Sequence, residues 1–285
     1  SKIMARITIP YAVADFIDLR ERGFYYVDKT DYIPKLEDYN APVFLRPRRF
    51  GKSLLVSTLA CYYDRTKAHR FEELFGGTWI GNHPTKEHNS YMIIRYDFSK
   101  MVMADTIEGL AQNFNDLNCG PVDVMVEHNR DLFGDFQFTT RGDASKMLEE
   151  VLNYARSHEF PKVYLLIDEY DNFTNQLLTA YNDPLYEEVT TNDSFLRTFF
   201  KVIKAGIGEG SIRTCFCTGV NLLKIIQNPI SRKCCFCQFP VSRCCNCHLY
   251  ISLFKPFQSF LHSWFQRCFK PVKITYNFQN LFYNL

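Results

Sequence analysis

An α/β fold, with a mainly parallel sheet flanked by helices, is predicted from three observations. A basic loop, Arg46-Pro47-Arg48-Arg49-Phe50-Gly51-Lys52-Ser53, follows a short apolar run at residues 41–45. A second apolar run at 163–167 ends in the acidic pair Asp168-Glu169. Around these, apolar runs suited to buried strands alternate with segments of helical periodicity, the order that builds a parallel sheet.

The first strand is expected over 42–45, and the loop after it has the end of a phosphate-binding P-loop. The usual pattern is Gly-x-x-x-x-Gly-Lys-Ser/Thr between a buried strand and a helix. Gly51, Lys52 and Ser53 match it, and Arg46 stands where the first glycine would be. Gly51 has no Cβ, so backbone N–H groups can close on phosphate oxygens. The helix expected over 53–63 carries Leu55, Thr58, Leu59 and Tyr62 on one face. Its N-terminal end points positive charge at the same anion. Lys52 is placed to reach the β- and γ-phosphates of ATP, and the Ser53 hydroxyl to ligate Mg²⁺. Pro47 fixes φ within the loop, and Arg48 and Arg49 add positive charge beside it.

The second strand is expected over 91–98 and the third over 163–167, the latter an unbroken apolar run of the kind covered on both faces. Open α/β sheets place their ligands at the carboxyl ends of such strands. Asp168 is therefore assigned to Mg²⁺, and Glu169 to the orientation and deprotonation of an attacking water. The bland alternatives are an exposed basic turn at 46–53 and a carboxylate cap at 168–169; their joint occurrence in this order favours the nucleotide site.

Helices are expected over 106–116, over 143–157 behind an Asp143 cap, and over 195–205, ended by Gly206 and Gly208. In the second of these Met147, Leu148, Val151, Leu152 and Ala155 form one apolar stripe. The fourth strand is expected over 212–218. Tyr26-Val27-Asp28-Lys29-Thr30 reads either as a border to adenine or ribose or as a short strand entering a turn capped by Asp28. Asp171 either assists the site or belongs to a solvated helix start.

At these residues the chain resembles the predicted AAA-ATPase-like family of bacterial P-loop proteins, whose members carry R-P-R-R-F-G-K-S in place of the usual loop. Further matching stretches are Ile9-Pro10-Tyr11, Tyr25-Tyr26-Val27-Asp28-Lys29-Thr30, Phe71-Glu72-Glu73-Leu74-Phe75-Gly76, Tyr96-Asp97-Phe98, Leu166 to Phe173, and Thr218-Gly219-Val220. The resemblance covers about residues 8–220. It implies a P-loop NTPase fold that binds and hydrolyses ATP with Mg²⁺. Arg46–Ser53 would then contact ATP, Ser53 and Asp168 the metal, and Lys52 and Glu169 would act in catalysis. Thr218 would sit where a polar sensor of the γ-phosphate is expected. The acidic strand should lie mid-sheet, separated from the loop strand by the 212–218 strand. Family members usually continue into a lid and a PD-(D/E)xK nuclease-like domain.

Residues 221–285 break this pattern. They contain no Asp, Glu, Gly, Ala or Met, and nine of the 11 cysteines fall between Cys215 and Cys268. Residues 1–209 hold 24 basic and 31 acidic residues, a net of −7, against +9 afterwards. An ATPase-like domain over 1–220 with a truncated lid and an atypical tail over 221–285 is the expected division. The tail reads as an aberrant, out-of-frame end, as a zinc site, or as a basic aromatic surface for nucleic acid or membrane. Zinc would use Cys234, Cys237, Cys244 and Cys247, but six residues between the C-x-x-C pairs is short for that purpose. A tail without carboxylates cannot hold a nuclease metal.

No stretch of 18 apolar residues and no secretory leader is recognised, which points to a cytoplasmic protein with free thiols. An acidic body does not favour autonomous nucleic-acid binding. No arginine finger can be named in the chain, and self-association would let a neighbouring copy supply one. The rival function is an ATP-binding switch or inactive fragment without turnover.

Overall fold

The computed structural model describes residues 13–172 and 194–220. The expectations for Ile9-Pro10-Tyr11, Phe173, the four tail cysteines and the rest of the tail lie outside them. Strands β1 (Val43–Leu45), β2 (Met92–Asp97), β3 (Val163–Asp168) and β4 (Ile212–Gly219) form one parallel sheet in the order β1-β4-β3-β2. The acidic strand β3 therefore lies inside the sheet, and β4 separates it from the loop strand, as expected. Every residue of β3 is buried, because both sheet faces are covered.

Alternation along the strands divides the core in two. Tyr164 and Leu166 of β3 and Phe216 of β4 point to one face. It is covered by α1 (Phe16–Glu21), α2 (Ile33–Leu36), α3 (Lys52–Tyr63), α4 (Phe71–Phe75) and α5 (Trp79–Asn82). Val163, Leu165 and Ile167 of β3, with Cys215 and Cys217 of β4, point to the other. That face is covered by α6 (Ile107–His128), α7 (Arg130–Phe133), α8 (Ala144–Ser157) and α9 (Phe195–Gly208). Helix α3 is buried on more than the expected stripe: Val56, Ser57 and Cys61 join Leu59 and Tyr62. The reason is α1, which packs outside α3 and donates the Phe16 amide to Ser57 Oγ at 2.9 Å. Tyr63 at the end of α3 stacks on Tyr164 of β3 with ring centroids 4.3 Å apart.

Helix α8 forms as expected. Asp143 Oδ1 accepts from the Lys146 amide at 3.1 Å, and the five stripe residues are all buried. Two other helices run further than expected. Helix α6 continues through Pro121 to His128. A proline inside a helix costs about 3 kcal/mol, but Leu110, Phe114, Val122, Met125 and Val126 keep one buried face going through it. Helix α9 does not stop at Gly206. That glycine is where the helix touches β4 and α8: a Cβ there would lie 2.8 Å from Ile212 Cδ1 and 3.1 Å from Leu152 Cδ1. The chain turns instead at Gly210, with φ +80°.

Candidate functional site

The site is assembled at the carboxyl edge of the sheet, where the parallel strands deliver their following loops together. After β1, the Arg46 amide donates to the Gly219 carbonyl at the end of β4 at 3.1 Å. The chain then leaves the sheet, and residues 47–51 are exposed. Arg49 and Gly51 adopt left-handed φ values of +69° and +71°. Gly51 is the N-cap of α3, and nothing lies within 4 Å of where its Cβ would be. The loop backbone is thus open around Gly51, where a side chain is absent.

Lys52, the first residue of α3, is buried, with 4% of its surface exposed. Its ammonium donates to the carbonyls of Arg46 (3.1 Å) and Pro47 (3.2 Å) and lies 4.0 Å from Glu169 Oε1. A buried ammonium needs such partners, and these carbonyls brace the loop from inside. Ser53 follows within the first turn of α3, half-buried.

At the end of β3, Asp168 is 4% exposed and Thr218, on the neighbouring strand, is fully buried. The Thr218 hydroxyl donates to Asp168 Oδ1 and accepts from the Glu169 amide at 3.1 Å. Glu169 turns away from the strand at φ +50°, in the left-handed region uncommon for a residue with a side chain. All the loop residues, Asp168, Glu169 and Thr218 therefore gather at one edge. The Thr218 hydroxyl, expected as a sensor of the γ-phosphate, is here engaged with the acidic pair.

Two further carboxylates stand at this edge: Asp171, which the sequence left open between assisting the site and a solvated helix start, and Asp97, which sequence reasoning did not single out. Asp171 does lie in a helical start, at residues 170–172, but it is 2% exposed rather than solvated; its Oδ2 accepts from the Val220 amide at 2.9 Å. Asp97, at the end of β2, stands in register beside Asp168, accepts from the Ser99 amide at 3.1 Å and forms an ion pair with the Lys100 ammonium at 3.4 Å. Its place after an apolar strand was the available signal. The segment 26–30 forms no strand. Asp28 does cap its turn, accepting from the Thr30 amide at 2.9 Å, and its other oxygen accepts from the Trp79 amide at 2.6 Å.

Among the described residues no three His, Cys, Asp or Glu side chains cluster in a way that could hold a metal. The donor set that the loop and β3 offer is the Ser53 hydroxyl and the Asp168 carboxylate, hard oxygens of the kind Mg²⁺ takes together with substrate oxygens and water. Among the described residues no helix is long and apolar enough to cross a membrane.

A family model described as predicted AAA-ATPase matches residues 10–230. A protein of Azotobacter chroococcum mcd 1, called an uncharacterized protein in the vnfD 5′ region, is 28% identical over 227 residues. The match takes in 76% of this chain but only 38% of that protein, so the chain spans well under half of its relative's length. No solved structure matches the chain.

Proposed function

The chain belongs to the predicted AAA-ATPase family, and from that premise we propose that it binds Mg²⁺–ATP in the loop Arg46–Ser53 and hydrolyses it with the acidic pair Asp168-Glu169. The observation that carries this reading is the convergence of Lys52 and Glu169, 4.0 Å apart, from two strands that are not neighbours in the sheet. In this reading the phosphates displace the carbonyls of Arg46 and Pro47 from the Lys52 ammonium. The open backbone at Gly51 and the N-terminal end of α3 complete the cradle. Arg48 and Arg49 are exposed in this loop and would add positive charge beside the incoming anion.

Ser53 and Asp168 would hold Mg²⁺, which supplies charge neutralisation on the β- and γ-phosphate oxygens. Glu169 orients a water for in-line attack and takes its proton. The new bond joins the water oxygen to the γ-phosphorus, the bond from that phosphorus to the bridging oxygen breaks, and ADP leaves. Thr218 serves by holding Asp168 and the Glu169 backbone in place. Acceleration comes from positioning and electrostatics rather than from covalent chemistry.

Self-association, through which a second copy would lend an arginine, belongs to the same proposal. So do a cytoplasmic location, suggested by Cys61, Cys119, Cys215 and Cys217, which form no disulfide among the described residues, and the division into a domain over 1–220 and a tail over 221–285. Release of phosphate from ATP by the purified chain, with and without a Mg²⁺ chelator, tests the reading. Chelator-sensitive turnover is expected. Binding without turnover would leave a nucleotide-binding switch in its place.

A further inference from the structure

Three consecutive residues at the end of β4 each hold a different part of the site. Thr218 holds Asp168 and the Glu169 amide. The Gly219 carbonyl holds the Arg46 amide, at the entrance to the loop. The Val220 amide holds Asp171 Oδ2 at 2.9 Å. Gly219 has no side chain at the point where the Asp171 carboxylate packs on the strand: a Cβ there would lie 2.7 Å from Asp171 Oδ1 and 3.0 Å from its Cγ.

The turn that carries Asp171 begins with the left-handed Glu169, a conformation that costs about 1–3 kcal/mol and persists only where its surroundings over-determine it. The Glu169 amide is fixed by Thr218. Its carbonyl accepts from the Asn172 amide at 2.9 Å, and Asn172 Nδ2 reaches the Phe98 carbonyl at 3.5 Å. Asp171 sits between these anchors and ties the same turn to β4. A carboxylate this deeply buried is expensive unless its oxygens are used, and here one of them is used on the backbone of the neighbouring strand.

We propose that Asp171 is a positioning residue that holds Glu169 in its left-handed conformation, by fastening the turn after β3 to the end of β4. This rests on the reading of Glu169 as the base. Because Gly219 of the same strand end also holds Arg46, one short piece of backbone sets the phosphate loop and the acidic turn relative to each other. Release of Asp171 lets the turn relax toward right-handed φ and carries the Glu169 carboxylate away, while the phosphate contacts of Lys52 stay in place.

The test compares Asp171→Ala and Asp171→Asn with the parent chain in ATP turnover and in amide hydrogen exchange at Glu169. In Asp171→Ala, kcat should fall about 100-fold, as for a misplaced catalytic group, with KM changed by less than about threefold. The Glu169 amide should exchange faster. Asparagine still offers the Val220 amide an oxygen, so Asp171→Asn should restore most of the rate and the protection. Unchanged turnover in Asp171→Ala, or equal losses in both variants, would overturn the proposal, the second because charge rather than anchorage would then be at work. If the alanine variant does not fold, a folded Asp171→Asn with lost turnover overturns it by itself. The exchange measurement needs no turnover. A parent chain without ATPase activity refutes the hydrolytic reading, while unchanged Glu169 protection in Asp171→Ala refutes the positioning role.

Discussion

The Lys52 ammonium and the Glu169 carboxylate stand 4.0 Å apart, the lysine side chain 4% exposed and the glutamate 22%. They are separated by more than a hydrogen bond, and the lysine is satisfied meanwhile by two loop carbonyls. The glutamate is left as the more accessible of the two. The proposed account gives the space beside them to the reacting phosphoryl group and its water, with the cation on one side and the base on the other.

Glu169→Gln removes the base and keeps the shape. Turnover should fall by roughly 10²–10⁴-fold, with ATP affinity retained. Single-turnover hydrolysis measured beside equilibrium nucleotide binding checks this. A variant that turns over within about tenfold of the parent would remove Glu169 from the base role.

Thr218→Val takes a hydroxyl from a fully buried position and leaves Asp168 Oδ1 and the Glu169 amide without it. Stability should drop by about 1–3 kcal/mol, the penalty for unpaired buried groups. Turnover should fall with little change in ATP affinity, and Thr218→Ser should recover both. Urea unfolding and steady-state kinetics on the two variants would show it; a valine variant as stable and active as the parent would contradict the bonding described.

At the opposite end of β4 lies a separate polar network. Glu37 accepts from Thr85 Oγ1 at 2.6 Å and from the Tyr63 hydroxyl at 3.1 Å, while Arg213 binds Glu87 at 2.8 Å and the Glu37 carbonyl at 2.9 Å. Burial pushes the Glu37 carboxyl above the ordinary glutamate range; the Thr85 hydrogen bond opposes this and the charge of Glu87 adds to it. The folded state therefore holds this proton more tightly than the unfolded state does. The stabilising contribution is full below the ordinary glutamate pKa and is lost as pH rises through the raised folded value. Glu37→Gln removes that titration, so the stability of the variant relative to the parent should improve as pH rises from the ordinary glutamate range through the raised one. Urea unfolding of both chains across that range measures it, and a difference independent of pH would contradict it.

Much of this architecture was readable in the residues. The four strands announce themselves as apolar runs, and the loop after β1 and carboxylates after β3 follow from where parallel sheets bind ligands. The order of the strands came from family resemblance rather than from any pattern in the runs. What sequence obscured was set by contacts distant along the chain. Asp171 meets Val220 across 49 positions, so its burial has no local signature beside an acidic helix start. Gly206 looks like a helix stop but is a point of close approach to Ile212. Pro121 looks like a break, and the buried face of α6 overrides it. Asp28 and Thr30 are read locally as a turn, yet their side chains also cap the start of α5, some 50 residues on.

The most direct test of the central claim is equilibrium binding of Mg²⁺–ATP to the parent chain and to Lys52→Ala, by calorimetry, with circular dichroism to show that both are folded. The account predicts binding by the parent and a loss of at least about tenfold in the variant, since one charge-assisted hydrogen bond is worth about 1.5–3 kcal/mol. A folded Lys52→Ala that binds ATP as tightly as the parent, or a folded parent that binds none, would contradict it.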